Sequence, residues 1–208
     1  HILACGKHFP GHGDTDVDSH KDLPILRHSA DRLASVELYP FQQFIRYGVG
    51  SMMVAHLNVL SLDAAPNFPA TLSSAIVQNK LKDSMKFKGL IFTDALNMKG
   101  VSKYYPSGVA EVLAIMAGND VMLFPEDVDA AIAGVRCAVL QDSIITEELI
   151  NRKVRKILAA KYWLGLNKYE PIKLDGIDAD INSAEAKFLK FKLMENAITV
   201  PVDSAHII

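Results

Sequence analysis

Gly89-Leu90-Ile91-Phe92-Thr93-Asp94-Ala95-Leu96-Asn97 is the stretch that decides the fold. Its apolar run shows no alternation, so it reads as a strand buried on both faces, as in a parallel sheet covered by helices. It runs straight into a carboxylate, Asp94, and the spacing then predicts a helix over Ser107–Ala117. Working outward, the same unit recurs. Upstream, Ile2–Gly6 is a strand leading to a helix over Ser29–Tyr47 with a Ser-Ala-Asp cap and Leu33, Val36, Leu38, Phe41, Phe44 and Ile45 on its apolar face. Gly50–Leu57 is the next strand, and Leu72–Met85 its helix, capped near Thr71 or Ser73, with Ile76, Val77, Leu81 and Met85 at helical spacing. Downstream, Asp120–Phe124 is a strand feeding a helix over Val128–Leu140.

The pattern then changes. Thr146-Glu147-Glu148 opens a long helix through about Leu164, stopped by Gly165. Beyond it the sequence is charged and mixed, with a helix around Ala184–Asn196 and Ala197-Ile198-Thr199-Val200 starting another strand. Four strand–helix units are half of an eight-fold barrel or most of a doubly wound sheet. The polar residues bear on that choice, because each strand ends in a chemically loaded loop: Lys7 and His8, then His56 and Asn58, then Asp94 and Asn97, then Glu126 and Asp127. Reactive groups gathered at the carboxyl ends of successive strands are the habit of barrels.

Composition narrows the function classes. Of 208 residues, 50% are hydrophobic, and 22 Lys and Arg nearly balance 24 Asp and Glu. No dense basic run is present to neutralise a track of phosphates, which argues against a nucleic-acid partner. The longest apolar runs fall well short of the roughly 20 residues a bilayer helix needs. Cys5 and Cys137 form no Cys-x-x-Cys pair and read as small buried hydrophobes. The opening His1-Ile2-Leu3-Ala4-Cys5 is neither an initiator Met nor a signal peptide, so the chain reads as a piece of something longer.

The densest chemistry lies in Lys7-His8-Phe9-Pro10-Gly11-His12-Gly13-Asp14-Thr15 and Asp18-Ser19-His20. Burying so many ionisable groups without partners would cost several kcal/mol each, roughly, so they belong at the rim of a cleft and not in a core. Pro10, Gly11 and Gly13 bend the backbone where these side chains cluster. Two uses of the set are open. One is a metal site, with His8, His12 and His20 joined by Asp14 and Asp18 as nitrogen and oxygen ligands of a metal-dependent hydrolase, although Pro10 and the glycines forbid the helix that would present a pair four residues apart. The other is acid–base chemistry. Asp94, at the end of a rigid strand, is either a nucleophile or a cap on the following turn.

The first segment, with Leu23-Pro24 after it, resembles the signature loop of the β-N-acetylglucosaminidase branch of family 3 glycoside hydrolases. Met53-Val54-Ala55-His56-Leu57, Pro69-Ala70-Thr71-Leu72-Ser73 and Gly89-Leu90-Ile91-Phe92-Thr93-Asp94-Ala95-Leu96-Asn97-Met98 resemble the same branch, in order and at about its spacing, over roughly Ile2 to Leu166. The resemblance implies an α/β fold, a (β/α)8 TIM barrel, with about four C-terminal βα units in this chain over residues 1–166. Residues 167–208 would be a tail or linker leading toward a second domain. It implies retaining hydrolysis of terminal N-acetyl-β-glucosaminides of cell-wall type, with Asp94 as nucleophile, His20 as acid and base, and Asp18 as its orienting carboxylate.

Chemistry agrees with that assignment. An imidazole with an ordinary pKa of about 6.5 suits a donor that must later act as base, and a neighbouring carboxylate fixes its tautomer. Asp18 and His20, two residues apart, would point the same way in extended backbone, and the loop is expected to swing toward substrate, leaving His20 far from Asp94 when the cleft is empty. Lys7 and His8 would hydrogen-bond sugar hydroxyls, and Met98 would line the sugar pocket or the core. His12 and Asp14 read as loop-shaping groups, and His56 as support for the site or a satisfied core histidine.

No cofactor or metal is implied. The partner is an N-acetylglucosamine-containing saccharide, with further sugar-binding groups expected in the barrel half preceding His1. Half a barrel would expose an apolar sheet edge, so either that half is supplied by longer sequence or a second copy associates. In the family it resembles, a stretch like this tail leads toward a second domain in longer members that are usually exported, so the resemblance favours export over a cytoplasmic location. A β-glucosidase of the same family is the nearest alternative, because the acetamido preference rests on the histidine-containing loop alone.

Overall fold

In the computed structural model, residues 2–141 and 145–199 are described, and the chain divides into two compact units, His1–Asn167 and Lys168–Ile208. The first is built on six strands, β1 (Cys5–Phe9), β2 (Ile25–Leu26), β3 (Ser51–Val54), β4 (Asn58–Val59), β5 (Leu90–Ala95) and β6 (Val121–Leu123). Four form one parallel sheet in the order β1-β3-β5-β6, and β2 pairs with β4 in a separate parallel ribbon. The decisive stretch behaves as its composition dictates. β5 pairs with β3 through Ser51↔Leu90, Met52↔Ile91, Met53↔Phe92 and Val54↔Thr93 without a break, and Met52, Val54, Leu90, Ile91 and Thr93 are buried. Each large apolar side chain so buried stabilises by about 1.5–3 kcal/mol.

Helices cover the sheet. The expected helix over residues 29–47 is instead α1 (Ala30–Arg32), a π-helical turn (Leu33–Glu37) and α2 (Tyr39–Arg46). Pro40, in the first turn of α2, has no N–H to give to a carbonyl four residues back, and Leu38 N–H reaches Leu33 carbonyl (2.8 Å) instead. This break rotates the apolar stripe: Leu33, Leu38 and Phe41 are buried, whereas Val36 and Phe44 are exposed. The second helix is a 3₁₀ turn (Ala70–Leu72) followed by a π-helix (Ala75–Ser84), with the Ser73 hydroxyl accepting from Ile76 N–H (3.3 Å) and Ile76, Val77 and Leu81 buried as expected. Four helices follow in this unit: α3 (Lys99–Ser102), α4 (Val109–Ala117), α5 (Val128–Leu140) and α6 (Glu147–Trp163). Asp127 and Thr146 cap the last two by accepting from Ala130 N–H (2.9 Å) and Leu149 N–H (3.1 Å).

Three further expectations need correction. β1 begins at Cys5, not Ile2, because pairing starts at Cys5↔Ser51 and the fully buried Phe9 anchors the strand's far end, so Lys7 and His8 lie inside the strand. Cys5 and Cys137 are exposed, the first opening β1 and the second on the outer side of α5. In the second unit, α7 (Ile177–Ile181) was not foreseen, α8 (Ala184–Ala197) matches the expected helix, and Ile198 and Thr199 form no strand, while Val200 lies outside the described residues. Among the described residues no helix is long and apolar enough to cross a membrane.

α4 and α5 approach each other backbone on backbone. A Cβ at Gly134 of α5 would sit 2.5 Å from the carbonyl oxygen and 2.7 Å from the Cα of Gly108, which opens α4 at φ +89°. Gly134→Ala should therefore lower stability by about 1–3 kcal/mol by overpacking, despite the roughly 1 kcal/mol that alanine ordinarily gains over glycine in a helix. Urea unfolding reads this directly, and an unchanged midpoint would show that the two helices separate without cost.

Candidate active site

Asp94 occupies the carboxyl end of β5, its Oδ1 accepting from Ala95 N–H (2.9 Å) and its side chain only 13% exposed. Across the sheet, β1 presents Lys7 and His8, whose connecting peptide bond is cis, as is Phe9–Pro10. His8 Nε2 lies 3.9 Å from Asp94 Oδ2. Partial burial holds the His8 imidazole below its ordinary value, with Asp94 pulling the other way. A half-buried neutral ring beside a carboxylate is thus the resting arrangement.

The loop after β1 carries Asp18 and His20, and its geometry differs from the expectation. The backbone turns here, with Lys21 N–H donating to Asp18 carbonyl (2.9 Å). The two side chains meet because Asp18 Oδ1 accepts both His20 N–H (3.0 Å) and His20 Nδ1–H (2.8 Å), a local side-chain turn and not an extended strand. Those two hydrogen bonds, the backbone one foremost, hold the Asp18 carboxyl below its usual range, so it stays ionised and fixes the imidazole tautomer. The His20 side chain is 74% exposed, and no hydrogen bond or ion pair joins it to Asp94 among the described residues.

Three pins hold this loop. At its start, Asp14 Oδ2 accepts from His28 Nε2 (2.9 Å) and Arg32 Nη2 (3.3 Å), and Arg32 also reaches the buried Glu37 (3.0 Å). In the middle, the buried Ser19 hydroxyl lies 3.1 Å from His12 Nε2, and its carbonyl accepts from Gly100 N–H (3.2 Å). At its end, Asp22 takes Lys103 Nζ and Tyr104 Oη, both at 2.8 Å, which with the Leu23 N–H lowers its pKa to about 2. His12 and Asp14 are therefore loop-shaping groups, as read from sequence. His28, Arg32, Glu37 and the Lys103–Tyr104 pair were missed, since partners so far apart in sequence leave no local signal.

One cleft of about 540 Å³ is lined by Lys7, His8, His12, Asp18, Ser19, His20, Asp94 and Met98. All six residues selected from the sequence as catalytic or sugar-binding meet there, with Met98 buried at its floor. Glu126 and Asp127 do not join them: Asp127 caps α5 and Glu126 faces Lys99 at 4.0 Å. Asn58 is buried and ties down its own loop, donating to the Ala65 (2.9 Å) and Phe68 (3.1 Å) carbonyls. His56 is fully buried, with Nε2–H donating to the Ala95 carbonyl (2.9 Å) and Nδ1 2.7 Å from Thr71 Oγ1, so it is a satisfied core histidine that steadies the strand end bearing Asp94. Among the described residues, the grouping able to offer three metal ligands is Asp14, His28 and Glu37, which includes none of His8, His12 and His20 and already holds the Arg32 guanidinium. The metal-dependent reading of the loop histidines thus finds no converging ligand set.

Residues 1–160 match the sequence family described as the glycosyl hydrolase family 3 N terminal domain. The chain belongs to glycosyl hydrolase family 3. A family 3 β-N-acetylglucosaminidase structure from Paenibacillus sp. str. FPU-7 superposes with a TM-score of 0.79 at 37% identity over 83% of this chain and 33% of that one. A beta-hexosaminidase A of Pseudoalteromonas piscicida is 36% identical over 60% of this chain and 22% of its own length. A β-glucoside phosphorylase at 24% identity, with a TM-score of 0.88 over the whole of this chain, shares the fold. The chain thus spans well under two thirds of the relatives it matches. These likenesses bear out the family and the α/β barrel class, four of whose parallel strands are the sheet described above.

Two of the site's imidazoles link protonation to folding. Burial, the main cause in each, holds His8 and His56 below the ordinary 6.5. The unfolded chain then binds protons more readily, so stability is fully present above pH 6.5 and declines as pH falls below it, by at most about 1.4 kcal/mol per pH unit for each group. Unfolding free energies between pH 7.5 and 5.5 should show this fall, with a shallower slope in His56→Gln. An equal slope in the variant would mean that His56 titrates normally.

Proposed function

We propose that this chain carries the nucleophile and the proton-transfer group of a retaining exo-β-N-acetylglucosaminidase acting on terminal N-acetyl-β-glucosaminides of cell-wall type. The observation that carries the reading is the single cleft shared by Lys7, His8, Asp18, His20, Asp94 and Met98. Support comes also from family membership and from the β-hexosaminidase and β-N-acetylglucosaminidase relatives.

In the first step an Asp94 oxygen bonds to the anomeric carbon while the glycosidic C–O bond breaks, its electron pair passing to the leaving oxygen, which takes the proton of His20. In the second, water attacks the glycosyl ester, His20 accepts the water's proton, and the Asp94 carboxylate is released. Asp94 is suited to this because its backbone neighbour, Ala95 N–H, fixes one oxygen and leaves the other facing His8 and the cleft. Asp18 keeps His20 in one tautomer through both steps. Lys7 and the neutral His8 ring provide hydrogen bonds for hydroxyls of the sugar next to the nucleophile, and Met98 provides apolar contact. The swing of His20 toward Asp94 on filling of the cleft belongs to the same proposal.

The test uses the whole protein with 4-nitrophenyl N-acetyl-β-glucosaminide. Asp94→Ala should lower turnover by at least about a thousandfold, and a fluorinated sugar trap should label Asp94 in the unaltered enzyme, as read by peptide mass spectrometry; near-normal rates or a label elsewhere would sink the assignment. His20→Ala should slow disaccharide cleavage far more than cleavage of the nitrophenyl sugar, and azide should restore part of the rate as glycosyl azide. Equal losses on both substrates would remove His20 from the proton-transfer role. Paired gluco and N-acetylgluco substrates test the acetamido preference.

A further inference from the structure

The opposite end of the strands holds a second cluster of ionisable groups. A cleft of about 370 Å³ is lined by Lys82 of the π-helix, Lys88 just before β5, and Arg152, Lys153 and Lys156 of α6, with Asp120, at the foot of β6, the single carboxylate among them. That carboxylate is already committed: its Oδ2 accepts from Ile91 N–H (2.9 Å) and pairs with Lys156, and its Oδ1 lies 4.0 Å from Lys153 Nζ. Apart from that approach of Lys153, the remaining cations form no ion pair among the described residues. Lys82 donates to the Gly118 carbonyl and Lys153 to the Asn119 carbonyl, while Lys88 and Arg152 have no carboxylate within ion-pair distance among the described residues. Lys153 is 7% exposed. A buried ammonium with several like charges around it, whose one carboxylate lies 4.0 Å away and is shared with Lys156, is costly unless further counter-charge is supplied.

We infer that this cleft binds a small, multiply charged oxyanion, of which inorganic phosphate is the simplest. Lysine ammoniums retain spare N–H donors after one hydrogen bond each, and the exposed Arg152 guanidinium offers a planar fork that matches two oxygens of a tetrahedral anion. The local electrostatics agree: burial, followed by repulsion from Lys82, lowers the Lys153 pKa to about 8 against the pull of Asp120, and burial lowers that of Lys82, opposed by Asp120 and Asp83 and helped by Lys156 and Arg152. An anion there would bridge α6 to the feet of β5 and β6. It is a site distinct from the Asp94 cleft, and the inference does not depend on the glycosidase reading.

The whole protein should bind inorganic phosphate saturably by calorimetric titration at pH 7, with total ionic strength held constant by sodium chloride, and its thermal midpoint should rise along the same saturation curve. Arg152→Glu combined with Lys88→Glu, both at exposed positions, should weaken phosphate at least tenfold, and Arg152→Ala alone should weaken it by a smaller factor. Absence of saturable heat in the unaltered protein overturns the inference. So does an identical phosphate response in the charge-reversed protein, because that would be the bulk exclusion effect of a kosmotropic anion and not occupancy of a site.

Discussion

The unbroken parallel pairing of β3 with β5 is the constraint on which the remainder rests. Four consecutive residue pairs lock the two strands in register, and because the face of Met52, Val54, Ile91 and Thr93 is fully buried, a one-residue slip would turn those side chains out of the core. The register delivers Asp94 to the sheet's rim and sets the height of the two flanking strands against it. On one side β1 brings His8 within 3.9 Å of the carboxylate. On the other, Thr93 accepts no competing role in the cleft: buried, its hydroxyl takes Leu123 N–H (2.8 Å) and so stitches β6 to β5 where their regular pairing shifts.

The site thus divides into a rigid part and a suspended part. Asp94, His8 and Met98 belong to the sheet and its immediate continuation, with His56 bracing the strand end from within the core through the Ala95 carbonyl. Asp18 and His20 hang on a loop fixed at Asp14, Ser19 and Asp22 and left exposed between those points. A proton donor that must reach a leaving group and later a water molecule benefits from such partial freedom, provided its orienting carboxylate travels with it. Under the proposed role of His20, Asp18 would do so, since its bonds to His20 are local to one turn.

Much of this was legible in the sequence, and the reasons differ residue by residue. Leu90–Thr93 announced a strand because its apolar run fits one, although burial is complete on one face only and Phe92, paired with Met53, is half-buried. Lys7, His8, Asp18, His20 and Asp94 stood out because charge is expensive in a core. What escaped notice depended on partners distant along the chain or on elements too short for periodicity. β2 and β4 hold two residues each and exist only as each other's partner. Asp127 and Asn58 carried polar groups at strand ends yet serve a cap and a loop closure, since a carboxylate or amide is as useful to an orphaned N–H or C=O as to a substrate, and Glu126 faces Lys99. Neither the break near Pro40 nor its rotation of the apolar stripe was read from the sequence, whose spacing predicts one helix over Ser29–Tyr47, because the π-helical turn changes the period on which the reading relied.

Gly100 has no reactive group, yet it donates its N–H to the Ser19 carbonyl, and a Cβ there would approach that same oxygen at 3.1 Å and the His56 Cβ at 3.2 Å. The segment bearing His20 and the interior beneath the strand that carries Asp94 therefore press against one bare α-carbon. Any side chain at this position would lever the two apart together, which makes the spacing between them a property inherited from a residue that chemistry alone would overlook.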